Sequence, residues 1–103
     1  MRQNIIYVTV GSEAEAKKIA EELLNKKLIA CANIFPIKSV YWWKKKIEKT
    51  DEVAMFMKTK KKIVGKAMRT IKRIHSHEVS CIDVIEVDKA DKVYLKWLDE
   101  VTK

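Results

Sequence analysis

An α+β fold with the element order β-α-β-β-α-β is what the sequence predicts, and three observations carry that prediction. Strand–helix–strand occurs twice with similar lengths: apolar runs at 5–10 and 28–35 flank one amphipathic stretch, and runs at 53–59 and 79–87 flank another. Each leading strand ends in a threonine near its helix start, Thr9 and Thr59. Only 2 glycines and 1 proline occur in 103 residues, which leaves little room for long flexible loops. Right-handed crossovers then place both helices on one face of a four-stranded antiparallel sheet, the ferredoxin-like sandwich.

Each element has its own signal. Ile5 to Val10 is a short β-branched run, hence a strand. Ser12 followed by Glu15 is a capping box that starts the first helix, whose apolar stripe is Ala16, Ile19, Ala20, Leu23 and Leu24. Asn25 to Lys27 ends it. Residues 28–35, LIACANIF, are almost wholly apolar, as in a strand buried on both faces. Pro36 interrupts, as proline does at an edge or a bulge, and the run resumes through Ile37 and Val40 into Tyr41, Trp42 and Trp43. This reads as one long strand, bent near Pro36, leading into an extended hairpin. The polar stretch 44–52 is its end, with Lys44 to Lys46 as a solvated turn. VAMFMKT at 53–59 is the third strand. Residues 60–74 form a second helix with Ile63, Val64, Ala67, Met68, Ile71 and Ile74 at helical spacing. Residues 79–87 are the fourth strand, and Asp91 caps a last helix whose face is Tyr94, Trp97, Leu98 and Val101. The chain reads as a single domain over 1–103.

The formal charge is +8, carried by 19 lysines and 3 arginines against 14 acids. Lysine is a strongly hydrated point charge and lacks the planar fork that reads phosphates and bases, so the excess argues for solvation and against nucleic acid. Cys31 and Cys81 lie 50 residues apart in apolar runs with no CxxC, so both read as reduced, buried thiols of a cytoplasmic protein. The first apolar run is too short for a signal peptide and no run approaches a membrane span.

The aromatic triplet points outward from this frame. Successive strand residues face opposite ways, so Tyr41 and Trp43 share one face and Trp42 takes the other. An RNA platform would place its aromatics on central strands, and the first strand offers only Tyr7. Bulky apolar groups on both faces of a hairpin beyond the sheet suit burial against another copy of the chain. The sheet face away from the helices has the same need, because one short terminal helix cannot cover it.

The order of ACANIFPIKSVYWWKKKIE (30–48), KT (58–59), HSHEV (75–79) and YLKWL (94–98) resembles the CutA family, small cytoplasmic proteins linked to divalent-cation tolerance. Positions matching its recurrent pattern are Cys31, Asn33, Pro36, Tyr41, Trp43, Lys46, Glu48, Glu52, Lys58, Thr59, His75, Tyr94 and Trp97; Lys45 stands where glycine is usual. The resemblance implies a tight homotrimer in which long hairpins, here carrying Tyr41, Trp42 and Trp43, pair with neighbours, in a design similar to the PII signalling trimers. Copper binding in bacterial members is assigned to a first-strand cysteine and two adjacent histidines; the corresponding positions here are Val8, Ile74 and His75.

Two sites are expected. His75 and His77 offer two imidazoles at two-residue spacing and Glu78 a carboxylate from a bent segment, a donor set suited to Cu(II) or another divalent metal; the competing role for His75 is to bond the end of the preceding helix. Lys46, Glu48, Glu52 and Lys58 would line a cleft between subunits, either as register-fixing ion pairs or around a small anionic ligand, with Lys58 close to the N-terminus of the second helix. The second use is PII-like and would act through a partner protein. No nucleophile–base pair and no glycine-rich phosphate loop occurs, so the chain reads as non-enzymatic, with no obligatory cofactor.

Overall fold

The computed structural model describes residues 1–103 as β1 (Gln3–Val10), α1 (Glu13–Asn25), β2 (Cys31–Trp43), β3 (Lys46–Lys60), α2 (Val64–Ile74), β4 (Ile82–Glu86) and α3 (Lys92–Val101), with a single 3-10 turn before α2. The sheet order is β2-β3-β1-β4 and every pairing is antiparallel. This is the predicted β-α-β-β-α-β arrangement with a terminal helix. The core lies between one sheet face and the two crossover helices: Ile6, Val8, Met55 and Met57 from the sheet, Ala16, Ile19 and Leu23 from α1, Ala67 and Ile71 from α2.

Local chemistry explains most element ends. Ser12 Oγ accepts the Glu15 N–H at 3.1 Å and starts α1. The reciprocal arm of the capping box is absent, because the Glu15 carboxylate is taken by Ser76. Leu24, expected on the apolar stripe, is exposed; at about 100° per residue it sits roughly 90° from the stripe's centre. Lys27 closes the helix with φ 57°. Asp91 Oδ2 accepts the N–H groups of Val93 and Tyr94, both at 3.1 Å, and starts α3. Of the expected α3 face only Leu98 is fully buried, while Trp97 and Val101 stay exposed.

Three strand boundaries differ from expectation. Leu28, Ile29 and Ala30 are buried but precede β2, because the turn at Lys27 must first swing the chain across the sheet's end. Nor is β2 buried on both faces: Ala32 and Ile34 meet the core, while Asn33 is exposed and Phe35 half-buried. β3 begins at Lys46 instead of Val53, because cross-strand pairing with β2 runs unbroken from Cys31↔Lys58 to Trp43↔Lys46 and carries the polar residues with it. Pro36 costs no pairing, since β2 is an edge strand. β4 starts at Ile82, not Val79. Its pairing with β1 stops at Val8↔Ile82, and the Thr9 carbonyl one residue on is occupied by His75. Cys81, expected inside a strand, is therefore exposed; Cys31 is half-buried.

The hairpin turn is only Lys44 and Lys45, with φ 48° and 67°. Two successive positive φ values are the type I′ geometry that matches strand twist, and glycine adopts it without the Cβ clash. Lys45→Gly is expected to stabilise the hairpin by about 1 kcal/mol, raising the melting temperature by several degrees in a calorimetric scan. A fall would show that the turn lysine makes a contact worth more than its strain.

Candidate functional site

The sheet face opposite the helices is only partly covered. Tyr94 and Leu98 of α3 close the end near Cys31, where the Tyr94 hydroxyl lies 3.5 Å from Cys31 Sγ. Burial, and next the bond to Cys31, push the Tyr94 phenol up to about 12. Toward the hairpin the face carries a row of half-buried rings, Tyr7, Phe56 and Phe35, with centroids 5.5 and 5.3 Å apart. The hairpin then projects past the helices. On one side it shows Val40, Trp42 (71% exposed) and Ile47; on the other, Tyr41 and Trp43. Lys44 Nζ stands 5.7 Å from the Trp43 ring, and Thr50 donates to the Tyr41 hydroxyl at 3.4 Å.

Between the hairpin and the 76–81 loop opens a cleft of about 780 Å³. Tyr41, Trp43 and Glu52 line one side, and His77, Glu78 and Cys81 the other. Burial, then the charge of Asp83, pushes the Cys81 thiol up, away from thiolate chemistry.

The loop is pinned at its root. The His75 side chain is fully buried. Its Nε2 donates to the Thr9 carbonyl at 2.8 Å, which leaves Nδ1 to accept the His77 N–H at 3.0 Å. Glu15 completes the clamp: its carboxylate accepts both the N–H and the hydroxyl of Ser76 at 2.9 Å and lies 3.9 Å from His75 Nδ1. Burial opposes ionisation of Glu15, but the two Ser76 bonds outweigh it and hold the carboxyl below its ordinary value of 4.5. A depressed carboxyl contributes stability that is present above its unfolded value and lost as pH falls through the folded one. Wild type is therefore expected to lose more stability than Glu15→Gln between neutrality and pH values below 4.5. Urea midpoints measured across that range check this, and parallel curves would sink it.

The candidate residues are unevenly gathered. Lys46, Glu48, Glu52 and Lys58 share one face of β3, but the outermost pair is twelve residue steps apart along the strand, about 40 Å. Only Glu52 lines the cleft of a single chain. Lys58 faces away from α2, with Nζ 5.6 Å from the Tyr94 ring, so it does not reach that helix's N-terminus. His77 and Glu78 line the cleft, whereas both ring nitrogens of His75 are engaged in protein bonds. No group of three His, Cys, Asp or Glu side chains converges as metal ligands. Val8 is fully buried in the core and Ile74 packs against it. Within one chain, the donors of the 75–78 segment do not fit a divalent ion. Sequence reasoning missed Glu15 and Thr9, whose partners lie 61 and 66 residues away; no local spacing signals such contacts.

The model of the family described as CutA1 divalent ion tolerance protein matches residues 4–101. The divalent-cation tolerance protein CutA of Archaeoglobus fulgidus is 44% identical over 100 residues, spanning 97% of this chain and 98% of that one. The protein of the same name from Pyrococcus horikoshii is 39% identical over 99 residues, spanning 96% and 97%. Among solved structures, the A. fulgidus protein, described as periplasmic, superposes with a TM-score of 0.95 at 44% identity, over 98% of this chain and 99% of that one. The P. horikoshii CutA1 crystal structure gives 0.94 at 38% identity, over 97% and 98%.

Proposed function

The chain belongs to the CutA1 divalent ion tolerance protein family, and on that premise we propose that it works as a non-enzymatic homotrimer that takes up divalent cations, copper foremost, in the cleft beside its hairpin. The observation that carries the assembly is the bare hairpin: Val40, Trp42 and Ile47 on one side, Tyr41 and Trp43 on the other, all exposed in a single chain. Two unpaired sheet edges, β2 and β4, stand on opposite sides of the same sheet. Unlike edges that join head to tail close into a ring when the rotation permits, and a ring of three copies is the closure we propose for both edges and the aromatic face.

The cation reading assigns uptake to the assembled cleft. His77 and Glu78 supply imidazole and carboxylate, donors that suit Cu(II), and His75 positions the segment they sit on. Side chains from a second copy complete the set. A cytoplasmic setting suits the two unpaired cysteines; no helix is long and apolar enough to cross a membrane. A second reading, a PII-like trimer that senses a small anionic ligand through a partner protein, draws on the cleft's size. About 780 Å³ is the volume of a metabolite pocket and exceeds what one ion fills.

Native mass spectrometry of chelator-stripped protein, with Cu(II) or Zn(II) added stoichiometrically, tests both. A trimer gaining about one ion per chain, and losing it in His77→Ala, Glu78→Gln, supports the cation reading. A trimer with no selective uptake moves the assignment to the anionic ligand. A monomer at micromolar concentration overturns the assembly itself.

A further inference from the structure

We propose that the outer face of α2, with the groove along its flank, docks an acidic, partly apolar segment of another protein. Residues 60–74 hold seven Lys or Arg and no Asp or Glu, so this stretch accounts for +7 of the formal +8. Two of the seven are spoken for: Lys60 meets Asp99 at 2.7 Å and Lys61 meets Glu86 at 3.1 Å. Lys62, Lys66, Arg69, Lys72 and Arg73 are exposed and make no ion pair. α1 is built differently, with Lys17–Glu13 and Lys26–Glu22 pairs that neutralise it locally. A lysine excess that served solubility alone would be interspersed with acids in that manner.

The segregation is geometrically ordered. Lys62, Lys66, Arg69 and Arg73 follow steps of four, three and four residues, which puts them in one stripe about 16 Å long. Like charges at this spacing repel, and Lys61 and Lys62 oppose the dipole at the helix start, where no acid stands. Glu86 relieves Lys61, but no ion pair within the chain relieves Lys62, Lys66, Arg69 or Arg73; an external counter-charge does.

A groove of about 620 Å³ runs beside the stripe, with Arg69 and Lys72 on its rim and Met68, Val79 and Ile82 within it. Val79 is 69% exposed. At Gly65 an added Cβ would meet only Arg69 Nη1 at 3.5 Å, so the groove stays open at that end. Cations around apolar residues complement a segment that presents carboxylates around an aliphatic side chain. Nucleic acid fits less well: no aromatic lines the groove for stacking. A lipid surface fits less well too, since Met68 and Ile82 are recessed.

The test is fluorescence anisotropy with the full-length chain and a labelled peptide of about 16 residues, glutamate-rich with leucine at every fourth position, in about 50 mM salt. The peptide is expected to bind wild type, roughly tenfold more weakly to Lys66→Glu, Arg69→Glu, and several-fold more weakly to Val79→Ser. Lys17→Glu, Lys18→Glu on α1 should leave binding unchanged. All these positions are exposed, and circular dichroism confirms that each variant folds. Absence of peptide binding, or equal binding to the α2 variant, overturns the proposal. So does a leucine-free glutamate peptide that binds as tightly, or a single-stranded oligonucleotide or phosphatidylserine vesicle that binds more tightly and is lost in the same α2 variant. The trimer's mass, followed in parallel, separates this result from a failure of assembly.

Discussion

Trp42→Ser together with Trp43→Ser is expected to abolish the proposed trimer, leaving a monomer in light scattering or a protein that precipitates as it is concentrated. The hairpin tip packs against little of its own chain beyond its partner strand: Trp42 is 71% exposed, its cross-strand neighbour Ile47 is exposed, and Tyr41 and Trp43 on the opposite side are exposed by more than a third. The substitutions therefore leave the thirteen-residue core intact, and the far-ultraviolet spectrum should change little. What they remove is surface that only a neighbour can bury. A large apolar side chain contributes roughly 1.5–3 kcal/mol when taken from full exposure to full burial; Trp42 and Trp43 are 71% and 38% exposed, about one full side chain between them, so the pair costs roughly 1.5–3 kcal/mol per subunit, enough over three subunits to shift an assembly equilibrium by orders of magnitude. Trp42→Phe, which keeps most of the apolar area, should retain the trimer. An unchanged trimer in the double variant would show that the interface is held by the edges or the Tyr7–Phe56–Phe35 row instead.

That expectation is readable from the sequence alone, because alternation along a strand is a local rule. Tyr41 and Trp43 against Trp42 needs only the period of two. The element order, the core residues of α1 and α2, and the two side-chain caps were legible for the same reason, since each rests on spacings of two to four residues. What was illegible depends on distant partners. Residues 46–52 look like a loop by composition and are strand because β2 pairs with them. Val79 to Cys81 look like strand and lie off the sheet because His75 takes the Thr9 carbonyl. Glu15 looks like a cap and is a clamp on Ser76, a contact across 61 residues. The charge total and its concentration in 60–74 were legible at once, yet which of those cations lack a partner took the fold to reveal.

His75 decides how the histidine segment should be understood. A metal ligand must present a free lone pair, and here neither nitrogen is free: Nε2 holds Thr9 and Nδ1 holds the His77 amide. His75→Ala removes a fully buried ring and strands a carbonyl and an N–H at once. The expected loss is about 2–4 kcal/mol, from the cavity and the unsatisfied groups together. It should come with a steep rise in hydrogen exchange at the His77 and Ser76 amides, since the 76–81 loop has no other root than Glu15. His77→Ala, at an exposed position, should cost within about 0.5 kcal/mol and leave that exchange unchanged. The two variants thus separate positioning from ligation. If His75→Ala is as stable as wild type and its loop amides stay protected, the ring is not a pin, and its nitrogens become available to a metal. If it melts the loop, any loss of cation binding in that variant reports a lost scaffold, and only His77 and Glu78 substitutions speak to the ligands themselves.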